Sequence, residues 1–435
     1  SLGTFAYKVN ANAVTELNLL GNLGTAAYRK DGDLYGIILL PETATGADIE
    51  AARKLLIDRG AADGPTGTYA ATNWIGRSDI TEFKSVNTSG LVNFYNTWAG
   101  CSSLTSFPAL NMSNGTNFEY CWYNNLSLNS FEVTQMSNGT TFDSAWKGCA
   151  ALTSFPADAK LGTAAENVNF ISAFRTSGLT IDPAVNFGES ASNVNFNNAF
   201  ESTGLTALPA GLDMSQGDTF RATFWGCGSL TTIRSGVLLG TASASVDFTQ
   251  AFYNTALTAL PAGLDMSQGD VFESAFQSCG SLTTIGTGVL LGTAASNVNF
   301  NHAFRTSGLT ALPAGLDMSQ GSSFQSAFQN CTSLTTIGNG VLLGTASASV
   351  NFTSAFKDCT NLVTLPANLN LRKGDDFQAA FYNCSSLVTF PAGAFDTMGT
   401  PQALCFLYAW GGCSSLSGAS VDNILDSIEA SGQLA

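Results

Sequence analysis

Histidine and charged residues are scarce in this sequence. The 435 residues include one histidine, His302, and charged residues make up 11% of the chain. A Ser-His-Asp or Cys-His catalytic arrangement would have to use that single imidazole. The 17 lysines and arginines against 32 aspartates and glutamates give a net charge of −15, which leaves no basic face to neutralise phosphates. We therefore expect no nucleic-acid partner and no attraction to anionic membrane surfaces.

Long apolar runs are absent as well. The longest candidate, residues 35–41 (YGIILLP), has the length of a strand and falls well short of the ~18–20 residues that a membrane span needs. The chain starts at Ser1 without a signal peptide, which we interpret as a processed product or a fragment. No phosphate-binding G-x-x-x-x-G-K-[ST] motif occurs. We expect no membrane insertion, no cofactor and no enzymatic activity.

Glycine (44), phenylalanine (30) and internal repetition are what the sequence has in abundance. Residues 200–251 align without gaps on residues 252–303, with 35 of 52 positions identical. Each copy holds two units of the form F-x-x-A-F-x-x-[CST]-x-x-L-T-x-[FIL]. The second aromatic of this signature recurs at Trp74, Trp98, Trp122, Trp146, Phe174, Phe200, Phe224, Phe252, Phe276, Phe304, Phe328, Phe356, Phe381 and Trp410. Spacings of 24 and mostly 28 residues predict a solenoid of about fourteen units over residues 66–417.

Each unit is predicted to form one short helix and one short parallel strand. Four apolar positions are spaced i, i+3, i+4 and i+7, as on one face of a helix: Phe272, Ala275, Phe276 and Cys279. The following residues 282–285 (LTTI) have strand chemistry, and the longer units add a second β-like piece such as residues 246–248. No unit can bury its apolar face alone, so the units must stack. The predicted class is an α/β repeat solenoid.

The repeat signature resembles a known family. F-x-x-A-F-x-x-C-x-S-L-T, with L-D-M-S before the next phenylalanine, is similar to the BspA-type leucine-rich repeat and to the repeats of mycoplasma-type surface proteins. The resemblance covers roughly residues 69–417. It implies a leucine-rich-repeat-like fold and an extracellular adhesin, and versions of this repeat occur in phage structural proteins. The strict alternation of spacings and the terminal segments depart from the family pattern.

The two ends of the chain lack the repeat. Residues 1–65 are predicted to be an attachment or capping segment; their L-G-T-x-A-Y segments at 2–7 and 23–28 resemble segments of phage tail-fibre proteins. Residues 46–60 have the pattern of an amphipathic helix. Residues 418–435 are predicted to hold a second capping helix, at 420–431, because solenoids need ends with a polar outer side. Its apolar face would be Val421, Ile424, Leu425 and Ile428.

Cysteines recur at one register position of the repeat. Eight of the ten lie there: Cys101, Cys149, Cys227, Cys279, Cys331, Cys359, Cys384 and Cys413. Serine or threonine takes the same position in other units, which indicates a tight inward site. Buried free thiols are the favoured interpretation. Disulfides between neighbouring units and a metal site stay open, although no C-x-x-C pair is present.

The Asp-Met-Ser-Gln-Gly-Asp segment admits two interpretations. Its aspartates, Asp213 with Asp218 and Asp265 with Asp270, would suit calcium, but the third copy has Ser322 in place of the second aspartate. Turn formation and helix capping explain the same residues more simply. In the capping interpretation Asp270 precedes the predicted helix.

Candidate ligand-binding residues come from two sets of exposed positions. The strand threonines Thr232, Thr284 and Thr336, followed by Thr364 and Thr389, form a predicted file that would order water or simply face solvent. The variable positions beside the paired aromatics are Arg221, Trp225, Tyr253, Gln277, Arg305, Gln329, Lys357 and Tyr382. They represent either drift on a solvated face or a ligand-reading surface with aromatic anchors.

These patterns predict a non-enzymatic, extracellular recognition protein. A phage tail-fibre or virion-associated adhesin is favoured by the L-G-T-x-A-Y segments and by the missing signal peptide. A bacterial cell-surface adhesin and a purely structural spacer or assembly subunit are the alternatives. The expected partner is a host cell-surface glycan or protein, with other virion or surface proteins contacting residues 1–65.

Overall fold

The computed structural model describes residues 74–78, 80–81, 88, 91–182, 184–399 and 401–432, together with the backbone of two strands further upstream. Those strands, β1 (Thr25–Lys30) and β2 (Asp33–Leu39), pair as an antiparallel hairpin with a bulge between Tyr28 and Arg29. The helix predicted at residues 46–60 and the first L-G-T segment lie outside the described residues.

From residue 91 onward the chain winds as a parallel β-solenoid. One parallel ladder is formed by the residues just before the first aromatic of each unit. It contains eleven successive pairings, from Asn93–Asn117 to Asn351–Asp376. Its nine strands are β7 (Asn167–Asn169), β9 (Asn193–Asn195), β12 (Gly217–Thr219), β15 (Val246–Asp247), β18 (Gly269–Val271), β21 (Val298–Asn299), β24 (Gly321–Ser323), β27 (Val350–Asn351) and β28 (Gly374–Asp376). The predicted strand at residues 246–248 is confirmed.

Two further files of short strands complete each coil. The L-T-x-[FIL] segments contribute β3 (Ser106–Phe107), β4 (Ser130–Phe131), β10 (Ala207–Leu208), β13 (Thr232–Ile233), β16 (Ala259–Leu260), β19 (Thr284–Ile285), β22 (Ala311–Leu312) and β25 (Thr336–Ile337). The third file holds β5 (Gln135–Met136), β6 (Lys160–Leu161), β8 (Asn186–Phe187), β11 (Asp213–Met214), β14 (Leu238–Leu239), β17 (Asp265–Met266), β20 (Leu290–Leu291), β23 (Asp317–Met318) and β26 (Leu342–Leu343). The prediction of a single strand per unit was therefore too low.

The predicted helix in each unit is wrong. The F-x-x-A-F-x-x-[CST] segment forms two successive β-turns, which we call the double turn. In residues 272–279 the Ala275 N–H donates to the Phe272 carbonyl at 3.0 Å, and the Cys279 N–H donates to the Phe276 carbonyl at 3.4 Å. The third residues of these turns, Ser274 and Ser278, have φ of 56° and 61°, as a type II turn requires. A right-handed helix cannot contain them.

The double turn satisfies its remaining amides in the next coil. The N–H groups of Phe272, Ser274, Phe276 and Ser278 donate to carbonyls of residues 299, 301, 303 and 305 at 2.7–2.8 Å. Two four-residue turns repeat every four residues, so residues at i, i+3, i+4 and i+7 point inward just as on a helix. That near-coincidence of periods explains the wrong helix prediction.

The core is a set of stacked aromatic rows. First aromatics stack on first aromatics, as Phe272 on Phe300 at 5.2 Å, and second aromatics on second ones, as Phe276 on Phe304 at 5.1 Å. The register aromatics from Trp98 to Phe381 are buried. Gly269 has to be glycine, because a Cβ there would lie 2.4 Å from Cζ of Phe272. The predicted inward register is confirmed.

One α-helix lies within the described residues, α1 (Gly418–Ala430). The Ser417 side chain caps it by accepting from the Ser420 N–H. Of the predicted apolar face, Ile424 and Ile428 are buried, whereas Val421 and Leu425 are 42% and 48% exposed. The helix contacts the last coil partly through polar groups instead. The Ser420 and Ser427 hydroxyls accept from the N–H groups of Phe390 and Phe395 at 3.0 and 2.8 Å.

Candidate functional site

The variable positions predicted to bind a ligand lie on one face, formed by the double turns. Trp225, Tyr253, Arg305, Lys357 and Tyr382 each follow a buried second aromatic. Each next residue donates its N–H to the carbonyl of the corresponding residue one coil on, as Gly226 does to Tyr253 at 2.9 Å. These bonds define the outer row: Tyr123, Lys147, Arg175, Glu201, Trp225, Tyr253, Gln277, Arg305, Gln329, Lys357 and Tyr382. Its members lie about 4.8 Å apart along the solenoid axis.

Aromatic members of the outer row use their ring faces within the row. Trp225 and Tyr253 stack at 5.9 Å with an interplanar angle of 12°. The Lys357 ammonium lies 5.5 Å from the ring centre of Tyr382, and Gly411 approaches the same ring so closely that a Cβ would lie 2.9 Å from Tyr382 Cδ2. The row therefore presents ring edges and polar tips rather than flat platforms.

Charged members of the outer row have different surroundings. Arg175 pairs with Glu201 at 2.7 Å, and the Glu201 side chain is only 7% exposed. Arg305 Nε and His302 Nδ1 are buried atoms without a hydrogen-bond partner among the described residues. Burial and the neighbouring Arg305 lower the pKa of His302. The single histidine thus favours its neutral form beside a guanidinium.

The predicted threonine file is interrupted, which corrects the sequence-based expectation. Thr232, Thr284 and Thr336 are exposed strand residues, but their parallel partners in the preceding coils are Ala207, Ala259 and Ala311. Directly neighbouring threonines occur in this file only where Thr336 pairs with Thr364, and Thr364 with Thr389, within the described chain. The alternation arises because the two units of each copy carry different strand residues.

An unbroken threonine row lies one residue earlier. It comprises Thr206, Thr231, Thr258, Thr283, Thr310 and Thr335, all exposed. Each hydroxyl from Thr231 onward donates to the main-chain carbonyl of the preceding threonine, at 3.0–3.3 Å. The threonine of the L-T motif was the signal for this row. Because the hydroxyl protons are used inside the row, its outer surface offers methyl groups and acceptor oxygens.

A tyrosine cluster near the N-terminal end was not singled out from the sequence. Tyr95 and Tyr120 meet edge to face at 6.2 Å, and Tyr120 and Tyr123 at 5.6 Å. Burial and the nearby Asp143 raise the pKa of Tyr120. The Lys147 ammonium lies 5.9 Å from the ring centre of Tyr123. Tyr95 and Tyr123 directly follow Phe94 and Trp122, like the variable positions of the central copies, whereas Tyr120 is the third residue of a turn, with φ of 53°.

The cysteine register is inward, as predicted, and none of the ten cysteines forms a disulfide. The Cys279 Sγ–H donates to the Phe252 carbonyl at 3.0 Å and lies 3.2 Å from the Thr255 hydroxyl. Burial raises the pKa of Cys149 to about 12 and that of Cys331 to about 11. Protonated, hydrogen-bonded thiols of this kind are poor nucleophiles and poor metal ligands. In the described part of the chain, no group of three or more His, Cys, Asp or Glu side chains is placed to hold a metal ion.

The aspartates weighed as calcium ligands form turns. Asp213, Asp265 and Asp317 each accept from the N–H two residues on, at 2.9 Å. Asp270 does not cap a helix: it lies in β18, and its Oδ2 accepts from the Ser245 hydroxyl at 2.7 Å.

Several solved structures are similar to this chain. A leucine-rich repeat protein from Bacteroides ovatus is 16% identical to this chain. The matched region covers 75% of this chain and 78% of the Bacteroides protein, with a TM-score of 0.34. A leucine-rich cell-surface protein from Faecalibacterium prausnitzii is 14% identical, with coverages of 79% and 86% and a TM-score of 0.26. A leucine-rich repeat protein from Eubacterium ventriosum is 14% identical, with coverages of 78% and 91% and a TM-score of 0.29.

The successive parallel strand pairings establish the solenoid. Neither a protein-family model nor a curated protein matches the sequence. The described residues contain no helix with the length and apolarity required to cross a membrane.

Proposed function

We propose that this protein is a non-enzymatic, extracellular recognition protein that binds a cell-surface glycan or protein through its double-turn face. The contrast between adjacent positions carries the proposal. Phe224, Phe276 and Phe328 are identical and buried. The next residues in the outer row are Trp225, Gln277 and Gln329. One chain thus keeps its scaffold constant while the outer row, whose side chains are mostly half-buried, varies in charge, size and aromaticity.

The scaffold suits an extended contact. Main-chain hydrogen bonds connect each double turn between residues 94 and 384 to the next coil, so the outer row is held at fixed spacing before any partner binds. A preorganised row loses little conformational entropy on binding. Absence of catalysis is part of the proposal, and it is supported by His302, whose described charged neighbours are Arg305 and Glu273 rather than a nucleophile.

The helix α1 favours recognition over end-to-end assembly. We infer that it caps the C-terminal end of the solenoid, because Ile424 and Ile428 cover the last coil while Asp422, Asp426 and Glu429 are exposed. These three carboxylates lie on the same helix as the exposed Val421 and Leu425, and their like charges oppose the stacking of another copy. A spacer subunit that polymerises through this end would need that helix to move away.

Retention of purified protein on bacterial cells and on a glycan array tests the proposal. Trp225→Gln is the informative variant, because Gln277 and Gln329 already occupy the equivalent positions in this fold. We expect retention to fall at least tenfold, with unchanged thermal unfolding. Arg234→Gln, an exposed change on the strand side of the coil, is the matched control. No retention on any host, or equal retention of both variants, would contradict binding through the outer row.

A separate experiment tests whether the protein is displayed on phage particles or on bacterial cells. Antibody labelling of purified phage particles and of bacterial surfaces distinguishes a tail-fibre adhesin from a bacterial surface adhesin. We expect label on virions if the L-G-T-x-A-Y segments indicate a tail protein. Label confined to cell envelopes would favour the bacterial alternative.

A further inference from the structure

A cleft of about 520 Å³ opens near the C-terminal end of the solenoid. Its walls come from three separate stretches of chain: Thr345 and Ser349 in the loop after β26, Arg372 and Lys373 in the turn before β28, and Thr397 in the segment between the last two register aromatics. The volume falls within the ~300–1,000 Å³ typical of small-ligand sites. Two adjacent cationic side chains therefore line a ligand-sized cleft in a chain whose net charge is −15.

The turn that carries Arg372 and Lys373 also occurs in three earlier copies of the repeat. Those copies form the turn without cationic residues. The turn reads Asp-Met-Ser-Gln-Gly at residues 213–217, 265–269 and 317–321, and Asn-Leu-Arg-Lys-Gly at residues 370–374. One main-chain bond of the turn is the same in both versions. The Lys373 carbonyl accepts from the Val350 N–H at 2.8 Å, as the Gln320 carbonyl accepts from the Val298 N–H at 2.9 Å. Serine and glutamine meet the structural demand in three coils, so Arg372 and Lys373 contribute charge alone.

Both cations are available to a ligand. Arg372 and Lys373 are exposed, and neither forms an ion pair with a carboxylate in the described part of the chain. The acidic residue of the cleft, Asp375, is engaged with the Ser349 hydroxyl through Oδ2, and its Oδ1 is buried without a partner. Charges elsewhere on the chain are screened over a Debye length of about 8 Å at physiological salt.

We propose that this cleft binds a compact oxyanion, the carboxylate, sulfate or phosphate group of an acidic surface glycan. That the oxyanion belongs to a surface glycan rests on the proposed recognition function. That the cleft binds an oxyanion does not. The Arg372 guanidinium can donate two parallel hydrogen bonds to such a group, and the Lys373 ammonium adds a point charge. The Thr345 and Thr397 hydroxyls line the same space and complete the donor set.

Calorimetric titration of the full chain with four probes tests the site: inorganic sulfate, inorganic phosphate, sialyllactose and neutral lactose. We expect sialyllactose to bind at least tenfold more tightly than lactose, with affinity falling as salt is raised. Detectable binding of the two inorganic ions would show that the oxyanion alone is recognised. Equal binding of sialyllactose and lactose, with no response to either ion, would overturn the proposal.

The repeat supplies its own variants. Arg372→Ser with Lys373→Gln gives this turn the Ser-Gln pair found at residues 215–216, which the fold already accommodates there, and should abolish the preference for charged probes at unchanged thermal stability. Adding Ser319→Arg and Gln320→Lys to this variant places the two cations in the equivalent turn of an earlier copy. We expect that this change does not restore the preference for charged probes. Full rescue would indicate general charge attraction and overturn the cleft assignment.

The two proposals fail separately. If wild-type protein is retained on cells but ignores every anionic probe, the cleft inference is wrong and the recognition function stands. If the probes bind in the cleft but no cell retains the protein, the anion site stands and the recognition function fails.

Discussion

Two stretches of the solenoid fill the same cross-section with different side chains. In residues 91–174, the tryptophan coils, second aromatics such as Trp122 meet strand phenylalanines such as Phe131 edge to face, at 4.9 Å and 85°. In residues 200–337, the phenylalanine coils, the second aromatic is phenylalanine, and the strand residue is leucine or isoleucine, as at Leu260 and Ile285. The coil thus tolerates a larger ring when its strand neighbour changes with it.

The two stretches also differ in whether the second aromatic carries a polar atom. The indole Nε1 atoms of Trp122 and Trp146 are buried without a hydrogen-bond partner among the described residues. A buried unpaired donor costs about 1–3 kcal/mol. The tryptophan coils therefore offset that cost through interlocked rings, whereas the second aromatic of the phenylalanine coils has no polar atom to satisfy. Larger rings do not by themselves make a more stable coil.

Truncation of the second aromatic has the largest expected effect. Trp122→Ala and Phe276→Ala each remove a fully buried ring and should lower the free energy of unfolding by about 3–5 kcal/mol. Trp122→Ala should cost more, since Trp122 contacts five aromatic rings and Phe276 contacts two. Urea unfolding followed by circular dichroism measures both. A smaller loss at Trp122 would refute the interlocking argument.

Glycine substitution probes the row that both stretches share. An alanine Cβ would lie 2.3 Å from Cζ of Phe142 at Gly139, and 2.4 Å from Cζ of Phe272 at Gly269. Both changes should destabilise by about 1–3 kcal/mol through overpacking, and by similar amounts, because the first aromatic is phenylalanine in both places. Gly280→Ala is the control, since no atom lies within 4 Å of its added Cβ. Unequal losses at Gly139 and Gly269 would mean that the rows differ.

Alkaline pH should destabilise both stretches through the cysteine register. Burial raises the pKa of Cys149 to about 12 and that of Cys331 to about 11, from a reference value of 9.0. The folded chain then holds protons that the unfolded chain releases, so stability is intact below pH 9 and falls above it. The slope is on the order of 1.4 kcal/mol per pH unit for each thiol.

Cys149→Ser tests this linkage, because Ser177 occupies the same register position one coil on. Unfolding midpoints measured between pH 8 and pH 11 should show a weaker alkaline decline for the variant. The same decline in the variant and the wild type would assign the effect to other groups.

Exchange of one aromatic for the other has the smallest expected effect. Trp122→Phe removes a buried N–H that has no described partner, which offsets the lost ring volume, so the net change should stay below about 1 kcal/mol. Thermal unfolding of Trp122→Phe measures the change, and the loss found for Trp122→Ala under the same conditions gives the scale for comparison. A loss comparable to the alanine variant would show that the indole ring itself, rather than an aromatic at that position, is required.

Some elements of the structure could be predicted from the sequence and others could not. The inward positions of Phe272, Phe276 and Cys279 were predictable, because apolar side chains that recur in tandem copies must share one core. The double turn was not, because its period of four residues resembles that of a helix. The threonine row was predicted one residue too late, since Thr231 and Thr232 are both exposed and only the inter-coil bonds distinguish them. Helix α1 was predictable from its own local pattern.

By itself, the sequence determined which apolar positions of the repeat are buried and how many residues form a coil, because burial of apolar surface depends on composition and period. The tertiary structure alone decided the path of the backbone between those side chains, because the amide of Ser274 finds its acceptor 27 residues away in the next coil. It likewise decided the cleft, where Thr345, Arg372 and Thr397 meet only after the coils have stacked.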